Sequence, residues 1–280
     1  GTTPALLTGF YREGVYRKKE PQVYSEAVVQ IYKSPYARSL QSDQLKVLRS
    51  RKIENLEVKD TLAVRLKAGL GSAITLDIVR QLFDFLDPQS FDSYEYHLTD
   101  IVTIDDQTAF VISFKQRPWI TEPLMQGDVY INVDNYAVVL AEFELSPDYI
   151  DQTGEAYVSR LPRDYSMKPE YVRYRTHYRL INGRYFLSHV RGDLGFLAKG
   201  RKRVFNSRFN VFFELAVTDH RLNNVTRFEH DETAPVYSVF SRTITGYDSE
   251  FWKDFDFLKP EEDLMEALVR LNVRLGEAGE

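Results

Sequence analysis

Between residues 94 and 218 the hydrophobic and polar positions follow the pattern of an almost continuous antiparallel meander. Pairs of extended segments flank short turns, at Tyr94–Ile104 with Thr108–Gln116, Asp128–Val133 with Tyr136–Leu145, and Tyr171–Ile181 with Arg184–Leu194. A further long strand is predicted over Arg203–Thr218. Asn182 and Gly183 join the third pair, and both tolerate the positive φ that a two-residue hairpin turn needs. Because no helix separates these long hairpins, the pattern predicts one large, twisted antiparallel sheet.

Before residue 94 the spacing of apolar residues is helical in some segments and extended in others. Thr3 followed by Pro4 is typical of a helix start. Apolar residues follow at helical spacing, at Leu6, Leu7, Phe10 and Tyr11, so a helix is predicted over 3–17. Extended segments are predicted at Val23–Lys33, Leu45–Ile53 and Thr61–Lys67. Helical spacing returns over 72–86, through Ile74, Ile78, Leu82 and Phe85.

The end of the chain predicts one more helix, over 260–275. Pro260 and the acidic residues after it suit a first helical turn, and Leu264, Leu268 and Leu271 form an apolar stripe. Since no linker rich in glycine or serine divides the chain, a single domain over 1–280 is predicted, with its sheet over 23–218. The predicted fold class is α+β: a large, curved, half-barrel-like antiparallel sheet with helices near both termini packed on one face.

Two predicted connections, 146–168 and 219–247, exceed the length usual in a compact domain. Loops longer than about 15 residues tend to be lids, binding loops or covers. Whether the connection 146–168 is a lid stays open at this point.

The turn at Asn182 and Gly183 fixes a register that sorts the flanking side chains by face. On one face that register places Tyr174, Tyr178, Tyr185, His189 and Arg191. The last long strand presents a mostly apolar side that includes Phe205, Phe209 and Phe213. These eight residues are the candidate ligand-binding residues of a partly open sheet surface. The alternative is that they only pack the sheet, because aromatic residues favour pleated surfaces.

Composition narrows the classes of function. The 280 residues have a formal net charge of −5, the reverse of a basic nucleic-acid footprint, so no nucleic acid partner is predicted. No apolar run approaches the ~18 residues of a membrane helix, so no transmembrane segment is predicted. The absence of cysteine excludes disulfides, thiolate catalysis and cysteine-ligated metal sites.

The sequence contains no recognised catalytic or metal-binding motif. His220 and His230, with the acids at 229–232, form the best metal-like group, but their spacing matches no zinc motif. Asp105 and Asp106 form a carboxylate pair at a hairpin turn, where aspartate is favoured for backbone reasons. Neither a metal nor a cofactor is predicted, and the chain is predicted not to be an enzyme.

Several stretches of the chain resemble a known family. They are Gly9–Glu13, Ser25–Tyr36, Leu76–Arg80, Phe110–Phe114 and Gly127–Asp134. From about Phe10 to Thr218 the sequence resembles the C-terminal region of bacterial carboxypeptidase-like regulatory-domain-containing envelope proteins. This resemblance implies a location in the periplasm or at the cell surface of a Gram-negative bacterium, after removal of a signal peptide. It implies no peptidase activity.

A second resemblance concerns topology. The pattern from Gly127 to Phe143 is similar to that of the lipoprotein-carrier (LolA-like) fold. In that fold a long antiparallel sheet curls around helices and encloses a cavity for acyl chains. The resemblance therefore implies a cavity for a lipid or another amphipathic ligand.

Three hypotheses of function follow. The preferred one is a non-enzymatic cell-envelope domain that binds an apolar or amphipathic ligand in a cavity between sheet and helices. The alternative is a structural or protein-interaction domain of a surface assembly, whose tyrosine- and arginine-bearing face contacts an envelope protein. The third is a metal-dependent hydrolase that uses His220 and His230.

Overall fold

The computed structural model describes residues 3–18, 20–35, 43–54, 69–153, 165–200 and 206–235. In these residues the chain forms ten strands, one α-helix and short 3₁₀ turns. The strands are β1 (Ala5–Arg17), β2 (Glu20–Lys33), β3 (Gln44–Glu54), β4 (Tyr94–Ile104), β5 (Gln107–Gln116), β6 (Met125–Asn132), β7 (Val138–Leu145), β8 (Tyr165–Ile181), β9 (Arg184–Gly200) and β10 (Ser207–Arg221). The helix is α1 (Leu70–Thr75), and the 3₁₀ turns lie at Asp84–Leu86, Pro88–Ser93, Ile150–Thr153 and His230–Glu232.

All ten strands belong to one open sheet, in the order β3-β2-β1-β10-β9-β8-β7-β6-β5-β4. Every neighbouring pair is antiparallel. Strands β4 to β10 form a meander in chain order, and the N-terminal strands join it because β1 pairs with β10. Within the described chain, the two edges of the sheet are therefore β3 and β4.

Two hairpin turns have the backbone that their residues predict. Asn182 and Gly183 have φ values of 49° and 76° and join β8 to β9. Asp105 and Asp106 have φ values of 45° and 62° and join β4 to β5. Positive φ at both central residues suits the right-handed twist of the flanking strands. Both turn predictions are confirmed. The sequence could predict them because the residues of the turn itself decide this conformation.

The helix predicted over 3–17 is wrong, because this segment forms β1. Leu6 and Phe10 lie on one face of the strand, Leu7 and Tyr11 lie on the other, and all four are buried. A strand buried on both faces lacks the alternation of period two. The spacing of its apolar residues therefore imitates that of a helix.

The predicted α+β class is also wrong. Of the helix predicted over 72–86, only residues 72–75 are α-helical, as the end of Leu70–Thr75, and turns with a 3₁₀ segment follow. The helix predicted over 260–275 and the strand predicted over Thr61–Lys67 lie outside the described residues. The described chain is essentially all-β, one large open antiparallel sheet rather than a sheet with helices from both termini on one face. The single domain stays a prediction.

One side of the sheet is covered by residues 69–93, which we call the cover segment. Its Ile74, Ile78 and Phe85 are buried in the hydrophobic core. The ring centroid of Phe85 lies 4.2 Å from that of Phe114 and 5.1 Å from that of Phe143. We call this side of the sheet the core face and the other side the opposite face. The chain itself thus fills the space above the core face at these positions.

Buried charged groups fasten the cover segment to the sheet. Lys33 Nζ lies 2.8 Å from Asp77 Oδ2 and 3.3 Å from Asp43 Oδ2. Arg80 Nη1 lies 2.7 Å from the same Asp43 oxygen. The Tyr178 hydroxyl donates a hydrogen bond of 3.1 Å to Asp77 Oδ1. Because these charges are removed from water, each depends on its partner, and the cover segment is held in one position.

Candidate binding surfaces

A β-bulge at Ser188 separates residues that were predicted to share one binding face. The predicted register holds from the turn as far as Tyr178. Ser188 is then an extra residue on β9, and the register shifts by one. Such a shift moves every later side chain to the other face. His189 and Arg191 therefore lie on the opposite face, while Tyr174 and Tyr178 lie on the core face, and the prediction of a shared face is wrong.

The candidate residues on the core face pack within the protein. Phe209 and Phe213 are 1% exposed and belong to the hydrophobic core. The ring centroid of Tyr174 lies 5.5 Å from that of Phe143 and 6.4 Å from that of Phe213. Phe205 lies outside the described residues. A ligand role for these residues stays a prediction, and the described chain fills the position where the ligand cavity was expected.

Tyr185 lies beside a small cavity near the end of the sheet. The cavity has a volume of about 210 Å³, and its lining includes Ala5, Leu7, Leu187 and Arg184. The hydroxyl of Tyr185 donates to Gln107 Oε1 at 2.5 Å. Ligand pockets commonly measure about 300–1,000 Å³, so this cavity is small for a lipid chain.

The opposite face carries a row of polar residues, one from each strand, that crosses the whole sheet. In strand order from β3 to β4, the row is Arg51, Glu26, Arg12, Glu214, Arg191, Arg175, Glu142, Asp128, Ser113 and His97. Near its β3 end the row is buried, at Glu26, Arg12 and Glu214. From Arg51 to Arg191 opposite charges alternate at directly paired positions, so this part of the row contributes to the cohesion of the sheet.

Glu214 is a buried carboxylate of this row that is hydrogen-bonded from two sides. Arg12 Nε donates to Glu214 Oε2 at 2.6 Å, and His189 Nε2 lies 2.7 Å from Oε1. Burial by itself would raise the pKa of Glu214. The hydrogen bonds from His189 and Arg12 outweigh burial and lower the pKa to about 2. His189, a predicted ligand residue, thus serves a buried ion pair.

An open groove of about 600 Å³ is lined mainly by charged residues of the opposite face, among them the predicted ligand residue Arg191. Its lining also includes Tyr174, whose side chain lies on the core face. The groove contains ion pairs between neighbouring strands or positions: Arg173 with Glu144, Arg175 with Glu142, and Arg191 with Asp193. Because opposite charges already pair within it, the groove does not select a ligand of one sign. Exposed pairs of this kind contribute only about 0–1 kcal/mol each to stability.

Ser188, His177 and Asp105 resemble a catalytic triad in composition. Ser188 Oγ lies 3.1 Å from His177 Nδ1, and His177 Nε2 lies 3.3 Å from Asp105 Oδ2. Ser188, however, is 6% exposed, and its hydroxyl donates to the His177 main-chain oxygen at 3.0 Å. Burial lowers the pKa of His177, and the Asp105 carboxylate opposes that shift. A nucleophile must reach its substrate, so we assign these three residues to the stabilisation of the bulge.

The described part of the chain offers no set of ligands for the metal-dependent hydrolase hypothesis. Within it, no group of three histidine, aspartate or glutamate residues could hold a metal ion. Burial lowers the pKa of His220, and a hydrogen bond to the Leu187 main chain opposes this shift. Glu232 forms an ion pair with Lys46 and caps the 3₁₀ turn that contains His230.

The edge strand β4 presents an exposed apolar row beside an unpaired backbone edge. Tyr96, Leu98 and Ile101 lie on its core-face side and are 36%, 60% and 55% exposed. Among the described residues, no strand pairs with the outer side of β4. Its eleven residues include neither lysine, arginine nor proline. The outer main-chain groups of β4 and this apolar row together form a surface that we call the β4 edge.

The other edge of the sheet, β3, differs in both respects. It carries four basic residues, Lys46, Arg49, Arg51 and Lys52. Ala234 bridges to Leu45, with a hydrogen bond of 2.8 Å from the Ala234 amide to the Leu45 oxygen. Basic residues and covering segments are the usual protection of a sheet edge against further strands. Only one of the two edges in the described chain is protected in this way.

The β4 edge was not among the predicted sites. Sequence predicts the bounds of Tyr94–Ile104 correctly but not its place in the sheet. The absence of lysine and proline from this strand is visible in the sequence, but it becomes informative only once the strand is known to be an edge.

No helix in the described ranges is long and apolar enough to cross a membrane. Comparisons with known proteins assign no family, since no family model and no curated protein matches the chain. The resemblance to carboxypeptidase-like regulatory-domain-containing proteins therefore lacks the support of a family model.

Several solved structures share weak similarity with the chain. A DUF1329 family protein from Desulfovibrio piger ATCC 29098 is 11% identical, with a TM-score of 0.29, over 82% of this chain and 91% of that chain. Lipovitellin is 10% identical, with a TM-score of 0.35, over 80% of this chain and 26% of that chain. MucB of Pseudomonas aeruginosa, in its complex with MucA, is 11% identical, with a TM-score of 0.22, over 78% and 94%. All three TM-scores lie below 0.5, and the proposals that follow rest on the chain's own geometry.

Proposed function

We propose that this chain is a non-enzymatic protein-interaction domain whose β4 edge accepts an extended segment of a partner protein. In such strand addition the main chain supplies affinity, and alternate side chains supply specificity. The observation that carries the proposal is the long, exposed β4 edge with its apolar row. The location in the cell envelope is supported by the sequence resemblance.

The contrast between the two edges supports this role. A sheet edge is commonly blunted by lysine, proline, a bulge or a covering segment. β3 carries basic residues and is bridged by Ala234. β4 has a bulge at Thr99 but keeps Leu98 and Ile101 exposed on either side of it. An exposed apolar edge has a use when a partner strand pairs with it, which is consistent with the proposed role.

The geometry favours an interaction domain over a lipid carrier. Ile74, Ile78 and Phe85 occupy the core face where an apolar ligand was expected. A ligand at that position would have to displace the cover segment and separate the buried Lys33 and Asp77. The proposed contact surface is β4 and not the predicted tyrosine- and arginine-bearing face. That predicted face does not exist as one surface, because the bulge at Ser188 divides its residues between two faces.

Selection from a peptide library tests the proposal. Random peptides of about twelve residues, long enough to pair with all of β4, are displayed on phage and selected on the purified protein. We expect the enriched peptides to slow amide hydrogen exchange in residues 94–104. The double variant Leu98→Ser/Ile101→Ser should bind them about tenfold or more weakly, because the apolar contacts are lost.

Leu180→Ser is the matched control, because Leu180 is also an exposed leucine but lies on β8, away from the edge. Its peptide affinity should equal that of the wild type. The proposal would be overturned if the enriched peptides protected other strands instead of β4. Equal affinity for the wild type and the double variant would also overturn it.

A further inference from the structure

The net charge of the chain is concentrated around the β4 edge. Residues 84–117 contain seven aspartates or glutamates and two lysines or arginines, which gives 2 − 7 = −5. The whole chain has 36 basic and 41 acidic residues, which also gives −5. The remaining residues therefore sum to zero. This stretch comprises the end of the cover segment, β4 and β5.

On β4 itself the acidic and apolar residues lie on different faces. Register with β5 places Leu98 opposite Ile112 on the core face, and His97 opposite Ser113 on the opposite face. Glu95 and Asp100 lie on the same face as His97. Any strand that extends the sheet at β4 would therefore meet apolar side chains on one face and acidic side chains on the other.

One of the two basic residues of the stretch, Lys115, forms an ion pair with a carboxylate of β4. Lys115 Nζ lies 3.5 Å from Glu95 Oε2, and the guanidinium of Arg117 lies 5.3 Å from the centre of the Trp119 ring. Asp100 accepts a hydrogen bond of 2.7 Å from the adjacent Ile101 amide. No basic side chain in the described chain forms an ion pair with Asp100. Lys115 thus offsets the charge of Glu95, whereas Asp100 has no such partner in the described chain.

We infer that the segment accepted by the β4 edge is basic and amphipathic, with apolar residues alternating with lysine or arginine. This inference rests on the proposed function. Opposite charges directly across a strand pair are favourable, and like charges are unfavourable. An acidic patch also accelerates the encounter with a basic partner.

The same charges disfavour a second copy of this chain as the occupant. Pairing β4 with β4 of another molecule would bring Glu95 and Asp100 of both copies onto one face of a joint sheet. Like charges in that arrangement oppose the pairing. The acidic residues of β4 therefore take the protective role that lysines have on β3, and they leave the edge open to a basic strand.

Three synthetic peptides of about nine residues test the inference, each with valine at alternate positions and lysine, serine or glutamate between them. Binding is measured by fluorescence anisotropy, and its location by hydrogen exchange in residues 94–104. At about 50 mM salt we expect the lysine peptide to bind about tenfold more tightly than the serine peptide and the glutamate peptide to bind most weakly. At about 500 mM salt the lysine and serine peptides should converge.

Variants separate this charge effect from non-specific attraction. Glu95→Gln/Asp100→Asn should remove most of the advantage of the lysine peptide and leave the serine peptide unchanged. The control Asp148→Asn/Asp231→Asn removes two exposed acids away from the edge and should leave the advantage intact.

Three results would overturn the inference and remain distinguishable. If lysine and serine peptides protected β4 and bound with equal affinity, the charge inference would fail while the proposed function would stand. If no peptide protected β4, including those enriched from the random library, the proposed function would fail and the inference with it. A self-associating wild type whose contact maps to β4 would replace the basic partner with a second copy.

Discussion

The carboxylate of Asp77 links the cover segment to two strands of the sheet. It is fully buried, and its two oxygens contact Lys33 of β2 and Tyr178 of β8. These strands are not neighbours in the sheet. A single side chain in an irregular segment thereby holds distant parts of the core face together.

We expect Asp77→Asn to lower the free energy of unfolding by about 3 kcal/mol, because it leaves the buried ammonium of Lys33 without this negative partner. Urea unfolding measures the change. Tyr178→Phe is the control, since it removes only the hydroxyl contact and should cost about 1 kcal/mol. A change of less than about 1 kcal/mol for Asp77→Asn would contradict this view of the buried network.

The low pKa of Glu214 has a consequence for acid stability. Its folded pKa of about 2 lies below the ordinary value of 4.5. A lowered pKa means that this carboxylate stabilises the fold above about pH 4.5 and that the stabilisation is lost as the pH falls from 4.5 towards 2. Urea unfolding at about pH 6 and about pH 3 should show a smaller acid-induced loss for Glu214→Gln than for the wild type.

Glu144→Gln is the matched control for this pH dependence, because the partner of Glu144, Arg173, is largely exposed. Its acid-induced loss should match that of the wild type. If Glu214→Gln lost as much stability on acidification as the wild type, the ion pair with Arg12 and His189 would not be a source of the pH dependence.

At the scale of elements, the sequence predicts the turns and strand bounds that depend only on neighbouring residues. The turn at Asn182 and Gly183 is encoded by its own residues, and the bounds of β4 follow from the turns beside it. The helix prediction for β1 fails because both faces of this strand are buried, and that burial depends on partners far away in the chain. The bulge at Ser188 has no local signal either, and it displaces His189 from its predicted face. Without knowledge of this bulge, His189 and Arg191 could not be assigned to their correct face.

We expect the aromatic contacts of Phe85 to be a main anchor of the cover segment. Phe85→Ala should cost about 3–5 kcal/mol, because the ring is buried among Phe114 and Phe143. Thermal or urea unfolding measures this loss. Phe91→Ala, in the same segment but 45% exposed, should cost less than about 1 kcal/mol. Equal losses for the two variants would show that the cover segment is not anchored through Phe85.

At the scale of the whole molecule, strand order decides which surface is available to a partner. β4 becomes an edge only because the N-terminal strands attach to β10 rather than to β4. Contacts of this range are set by the collapse of the whole chain and leave no periodic signal in a short window. The architecture of consecutive hairpins was therefore predictable, whereas the β4 edge was not. Its acidic charge could be counted in the sequence but had no location until the sheet was known.

The pairing of β1 with β10 also determines the order in which the molecule can be completed. Arg12 and its partner Glu214 are 202 residues apart in the chain, so their contact closes a very long loop. As the chain emerges N-terminus first, β4 to β9 appear in an order that lets each strand pair with the one before it. β1 to β3 can form only a separate hairpin ribbon until β10 has emerged. The inner side of β1 is an unpaired edge throughout that interval, so this ribbon needs protection from aggregation until β10 arrives.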